Sequence, residues 1–163
     1  MKKIRKKSGV VEDQLLRPDL RKIVNEANAI HGFWEIPTLF DDRTAKCFKE
    51  IMYWAIPKAN GQPKGAYKDD KGRWAIVKTD REFIRKVAIP LRAGYVERTK
   101  MVELGYIETY RKMMNGQWAN YIIVTKKGVE VVKGLTRYLR ENKYPESKKE
   151  VQLIMDKIIK EIK

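Results

Sequence analysis

The chain has 163 residues, the usual size of one domain, and 43% of them are hydrophobic, enough for a real core and too many for a disordered tail. Its 36 Lys plus Arg against 21 Asp plus Glu leave a formal charge of +15, a balance that points to a polyanionic partner, nucleic acid above all. A single cysteine excludes an intramolecular disulfide and a cysteine-based zinc site and fits a cytoplasmic protein; no apolar run approaches the roughly 20 residues of a membrane span, so no membrane partner is expected.

Residues 1–17, opening "MKKIRKKSGVV", are basic with no long apolar stretch behind them. They read as a flexible basic arm and not as a secretory signal. A first helix is predicted over 18–30, with Leu20, Ile23, Val24 and Ala27 at helical spacing and Pro18 near its start. His31-Gly32 ends it, and "GFWEIPTLFDD" follows as an extended apolar segment. Asp41 or Asp42 then caps a second helix, "DRTAKCFKEIMYWAI", with Phe48, Ile51, Met52 and Ala55 on one face, and Pro57 stops it.

Residues 57–73 are rich in Pro, Gly and basic residues and read as one long loop, followed by a short strand at Trp74–Val77. Thr79 with Glu82 three positions on has the spacing of a capping box for "KTDREFIRKVAI", whose apolar side is Phe83, Ile84 and Val87. Pro90 breaks that helix and begins "LRAGYVERTKMVEL", which ends at Gly105. The middle of this helix, "GYVERTK", is polar apart from Tyr95 and Val96.

Two β-rich stretches around Asn115-Gly116 then make a hairpin. A helix begins after Thr125 with Val129, Val132, Leu135 and Leu139 on its face. After the linker "ENKYPES", Ser147 and Glu150 open a last helix with Val151, Ile154, Met155, Ile158 and Ile162 on one stripe. That stripe either packs on its own domain or serves a homodimer or another protein. The expected organisation is an arm at 1–17, a central domain at 18–142, and a linker and amphipathic helix at 143–163.

No enzyme, metal or cofactor is expected. Asp41-Asp42 reads as a helix cap, Asp69-Asp70 as a solvated loop pair, and adjacent aspartates point in different directions on any regular element. There is no P-loop, HExxH or GxSxG motif. Cys47 near the core face reads as a small hydrophobe.

From Asp42 the order is helix, short strand, helix, turn, helix, hairpin, helix. "KMVELGYIE" and "NYIIVTKKGVEVV" resemble the two ends of the wing in winged helix-turn-helix proteins. The second is similar to the strand–Thr–x–Lys–Gly–helix step of MarR-like and PadR-like regulators. The resemblance implies an α+β fold, mainly helical with a small hairpin, and a helix before the hairpin that enters a major groove. "GFWEIPTLF" and "GRWAIV" resemble the N-terminal winged-helix domain of phage replication proteins of the O-like and DnaD-like kind, with Thr38 where that family usually has Asn. That family implies origin binding and recruitment of a helicase or its loader. A dimeric repressor and an RNA-binding or architectural protein are the alternatives.

The residues expected to touch nucleic acid are Arg81, Arg85, Arg92, Arg98, Lys100, Arg111, Lys112, Gln117, Lys126 and Lys127. Arg92, Arg98 and Lys100 are expected to be exposed on the recognition helix, where arginine reads guanine. The target is double-stranded DNA, with single-stranded DNA or RNA as alternatives, and Trp118 offers a ring on which an unpaired base can stack.

Overall fold

A computed structural model describes residues 20–30, 33–35, 42–56 and 66–162. Within them, six helices surround one face of a small antiparallel sheet, an α+β arrangement. The predicted basic arm, the His31-Gly32 break, the Asp41 cap and Phe40 lie outside the described residues. Among the described residues no helix is long and apolar enough to cross a membrane.

Helix α1 spans Leu20–Ala29 and buries the predicted stripe of Leu20, Ile23, Val24 and Ala27. A 3-10 turn at Phe33–Glu35 follows, and the Trp34 indole N–H donates to Asn28 Oδ1 at 2.8 Å. Helix α2 is Asp42–Trp54; Cys47, Phe48, Ile51 and Met52 are fully covered, which accounts for Cys47 as a packing residue.

The expectation of an unbroken loop over 57–73 is corrected. Strand β1, Ala66–Lys68, pairs with β2, Trp74–Lys78, through a tight turn. Asp69 builds that turn. Its side chain accepts the N–H groups of Lys71 (2.9 Å) and Arg73 (2.8 Å), and it pairs with Arg73 Nε at 2.9 Å. The Asp69 side chain is therefore covered, while Asp70 is exposed as the sequence suggested for both. A three-residue strand is too short to show an alternating pattern, so the sequence had no signal to offer there.

Helix α3, Asp80–Val87, begins with the expected capping box between Thr79 and Glu82. Helix α4, Leu91–Glu103, starts after Pro90, and Gly105 leaves it at a φ of +80°. Strands β3, Ile107–Met114, and β4, Gln117–Val124, meet at Asn115 (φ 51°) and Gly116 (φ +81°), the pair of left-handed residues that a two-residue hairpin needs. The sheet order is β1-β2-β4-β3. Ile76, Ile107, Ile122 and Val124 point into the helical core, and Ala75, Ala119, Tyr121 and Ile123 form a second cluster on the opposite face.

Helix α5, Lys126–Glu141, explains the Thr–x–Lys–Gly step in physical terms. Thr125 Oγ1 accepts the Gly128 N–H at 3.1 Å and donates to the Gly105 carbonyl at 2.6 Å, so one hydroxyl caps α5 and ties it to the end of α4. A Cβ on Gly128 would lie 2.5 Å from the Tyr106 carbonyl oxygen, so only glycine lets the helix come this close to the start of the hairpin.

Helix α6, Lys148–Glu161, is capped by Ser147. Its stripe of Val151, Ile154, Met155 and Ile158 is buried in the main core, with Ile162 packed at the edge. The apolar face of this helix packs on its own chain, so these residues are covered and do not stand exposed for the dimer or partner contact that the sequence also allowed. Val151, Ile154, Met155 and Ile158 accordingly belong to one core with residues of α1, α2 and α5.

Candidate nucleic-acid interface

Helix α4 inverts the usual relation between chemistry and burial. Gly94, Glu97, Arg98 and Met101 face inward. Arg98, only 5% exposed, donates from Nη2 to Asp80 Oδ1 at 3.0 Å and lies 4.7 Å from the centre of the Phe83 ring. Burial pulls its guanidinium below the ordinary arginine value, and the Asp80 carboxylate opposes that pull. Asp80 also accepts Asn120 Nδ2 at 2.8 Å and pairs with Arg111 Nη2 at 3.4 Å. A single carboxylate thus joins α3, α4 and both strands of the hairpin.

Glu97 is buried at the other side of the helix, where it accepts the Thr44 hydroxyl of α2 and pairs with Lys100 Nζ at 3.3 Å. These contacts fix the rotation of α4 about its own axis. The expectation that Arg98 is exposed and reads a base is corrected: its side chain is committed to Asp80 and Phe83. Charged residues go inside when they are paired, and the partners here are 18 and 53 residues away in the chain.

With that face turned in, Leu91, Arg92, Tyr95, Val96, Thr99 and Val102 turn outward. Arg92 and the half-exposed Lys100 keep their expected places on the surface and line an open cleft of about 710 Å³ with Arg43, Pro90, Ala93, Val96 and Glu97. A neighbouring cleft of about 410 Å³ is lined by Trp34, Arg43, Lys46, Lys49, Ala88, Ile89 and Pro90. Arg43, Lys46 and Lys49 are not among the residues expected from the sequence. They recur at every third position on the exposed side of α2, a spacing visible in "DRTAKCFK", but only packing brings them beside α4.

The other expected residues divide. Arg81 and Arg85 are exposed one turn apart on α3. Arg111 lies on the helix-facing side of the hairpin, held toward α3 by Asp80. Lys112 and Gln117 occupy the opposite side; Lys112 Nζ pairs with Asp70 at 3.2 Å. Trp118, 55% exposed, stands opposite Met113 near the hairpin tip, on the same side as Arg111. Lys126 belongs to a separate cleft with Glu130, Lys133 and Arg137 between α5 and α6, and Lys127 is half-buried, its Nζ 5.9 Å from the centre of the Tyr106 ring. Arg92, Lys100 and the α2 cations are therefore brought together; Lys112, Gln117, Lys126 and Lys127 are not part of that group.

Comparison with known proteins finds no family model, no curated protein and no solved structure that matches this chain.

Proposed function

We propose that this chain binds duplex DNA as a winged helix-turn-helix protein, with α3 and α4 as the helix-turn-helix and the β3–β4 hairpin as the wing. The observation that carries this reading is a helix whose inward charges are locked, so that its opposite face stands out with cations beside it. Arg92, Lys100, Arg43, Lys46 and Lys49 lie along one flank, and Arg111 lies toward the hairpin. An α-helix with side chains is about 10–12 Å across and a major groove about 12 Å wide, so α4 fits as the inserted element. The flanking lysines and arginines neutralise phosphates and release counterions, while the outward face of α4 meets base edges.

A role in replication rests on the resemblance of "GFWEIPTLF", of which Phe33, Trp34 and Glu35 are described. Recruitment of a helicase or loader, or dimerisation as a repressor, would need a surface other than the buried stripe of α6.

The test is binding to labelled duplexes over a salt series, with structured RNA as competitor. Each phosphate contact removed should lower the salt slope by about 0.9. Changing Arg43, Lys46 and Lys49 together to Ala should therefore flatten it by about 2–3. A salt slope unchanged by the triple substitution, or displacement by RNA at equal concentration, would overturn the reading.

A further inference from the structure

The outward face of α4 is not the arginine-rich surface that guanine recognition calls for. Leu91 (56% exposed), Tyr95 (63%) and Val102 (38%) form a stripe at i, i+4 and i+11, and Val96 (44%) stands beside Arg92 on the same helix. Thr99 completes the stripe at i+8, its hydroxyl proton donated to the Tyr95 carbonyl at 3.0 Å. Such apolar exposure on a helix of a strongly basic chain is a feature the cations alone leave unexplained.

The ligand that suits this surface has negative charge along its edges and apolar groups along its floor, in a channel one helix wide. The major groove of a thymine-rich duplex has that composition: phosphates line both walls, and each thymine projects a C5-methyl group. Resting on the duplex-binding reading above, we propose that α4 recognises thymine-rich sequence by apolar contact of Tyr95, Val96 and their neighbours with thymine methyls. Arg92 and the α2 cations grip the phosphates.

An anionic membrane surface also offers charge over apolar material. It is the poorer match, because Arg43, Lys46 and Lys49 stand across clefts beside α4, an arrangement that receives a phosphate ridge and not a flat headgroup surface.

The experiment compares a thymine-rich duplex with the same duplex in which deoxyuridine replaces every thymidine. The exchange removes only the methyls and leaves every base-pairing group and phosphate. A methyl buried against a side chain is worth roughly fourfold in affinity, so two such contacts give about a 10–20-fold preference for thymine. Tyr95→Ala combined with Val96→Ala should reduce that preference to about twofold or less; circular dichroism checks that this variant, altered only at exposed positions, remains folded.

Equal affinity of the wild-type protein for the two duplexes would overturn the methyl-reading proposal and leave duplex binding standing. A thymine preference that survives the double substitution would overturn it as well. Failure to bind either duplex would instead remove the functional reading beneath it. Binding to vesicles of anionic phospholipid that is lost in the double variant, without any thymine preference, would assign the face to a membrane and overturn the proposal.

Discussion

Replacing Arg98 by Ala should damage the fold of α4 against α3 and leave the choice between DNA sequences unchanged. Removing one member of a buried ion pair costs about 3–5 kcal/mol, chiefly because the other charge loses its partner. Here Asp80 is 29% exposed and retains Asn120 Nδ2 at 2.8 Å and Arg111 at 3.4 Å, so its carboxylate is far from abandoned. Loss of the guanidinium also uncovers the Phe83 ring, 4.7 Å beneath it. The sum falls near the low end, about 3 kcal/mol. Urea unfolding followed by far-UV circular dichroism measures it; with slopes of about 1–3 kcal/mol/M, the midpoint should drop by about 1–3 M. Arg98→Met, which retains a chain over Phe83 but not the charge, should fall between the wild type and Ala. A loss under about 1 kcal/mol, or one that appears only on guanine-containing sites, would refute the account of Arg98 as an internal tie.

Thr44→Val should cost about 1.5–3 kcal/mol, since it removes a hydroxyl donor to the buried Glu97 carboxylate; a neutral result in thermal melts would count against α2 as the support of α4. Gly128→Ala should destabilise by about 1–3 kcal/mol despite alanine's better helix propensity, because the new Cβ would press on the Tyr106 carbonyl oxygen 2.5 Å away; a raised melting temperature would contradict that contact. Asn115→Ala should cost about 1–2 kcal/mol at its φ of 51°, and hydrogen exchange should show the loss first at the hairpin tip.

Acid should weaken the fold through Glu82 and Asp69. The Thr79 N–H chiefly holds the Glu82 carboxyl below its ordinary value, while for Asp69 burial pulls upward and is outweighed by the N–H groups of Arg73 and Lys71 and by the Arg73 guanidinium. Lowered folded values mean that the unfolded chain takes up protons first. This contribution is therefore present above about pH 4–5 and lost as pH falls through the lower folded values. Glu82→Gln and Asp69→Asn should make the acid limb of a melting-temperature profile shallower; an unaltered limb would show that these carboxyls do not govern it.

The local signals were strong enough to specify the helices of residues 20–54, the Thr79–Glu82 box, the break at Gly105, the Asn115-Gly116 turn and the Ser147 cap. Each is decided by residues within a few positions of one another: a cap bonds to the third residue after it, and a left-handed turn needs Asn or Gly at the turn itself. Strand β1 escaped because three residues cannot display a period, and it exists only because β2 provides its hydrogen bonds. Tertiary packing also chose which way α4 faces. In sequence Arg98 is an ordinary exposed cation, and Tyr95 and Val96 are the apolar residues in the polar middle of the helix; Asp80, Thr44 and Phe83, far off in the chain, draw Glu97 and Arg98 inward and turn Tyr95 and Val96 out. The same holds for α6, whose apolar stripe was plain in the sequence, though only the core formed with α5 determined that its own chain would cover it. Periodicity tells that a helix has an apolar face; the direction of that face depends on charges and surfaces brought together by the rest of the fold.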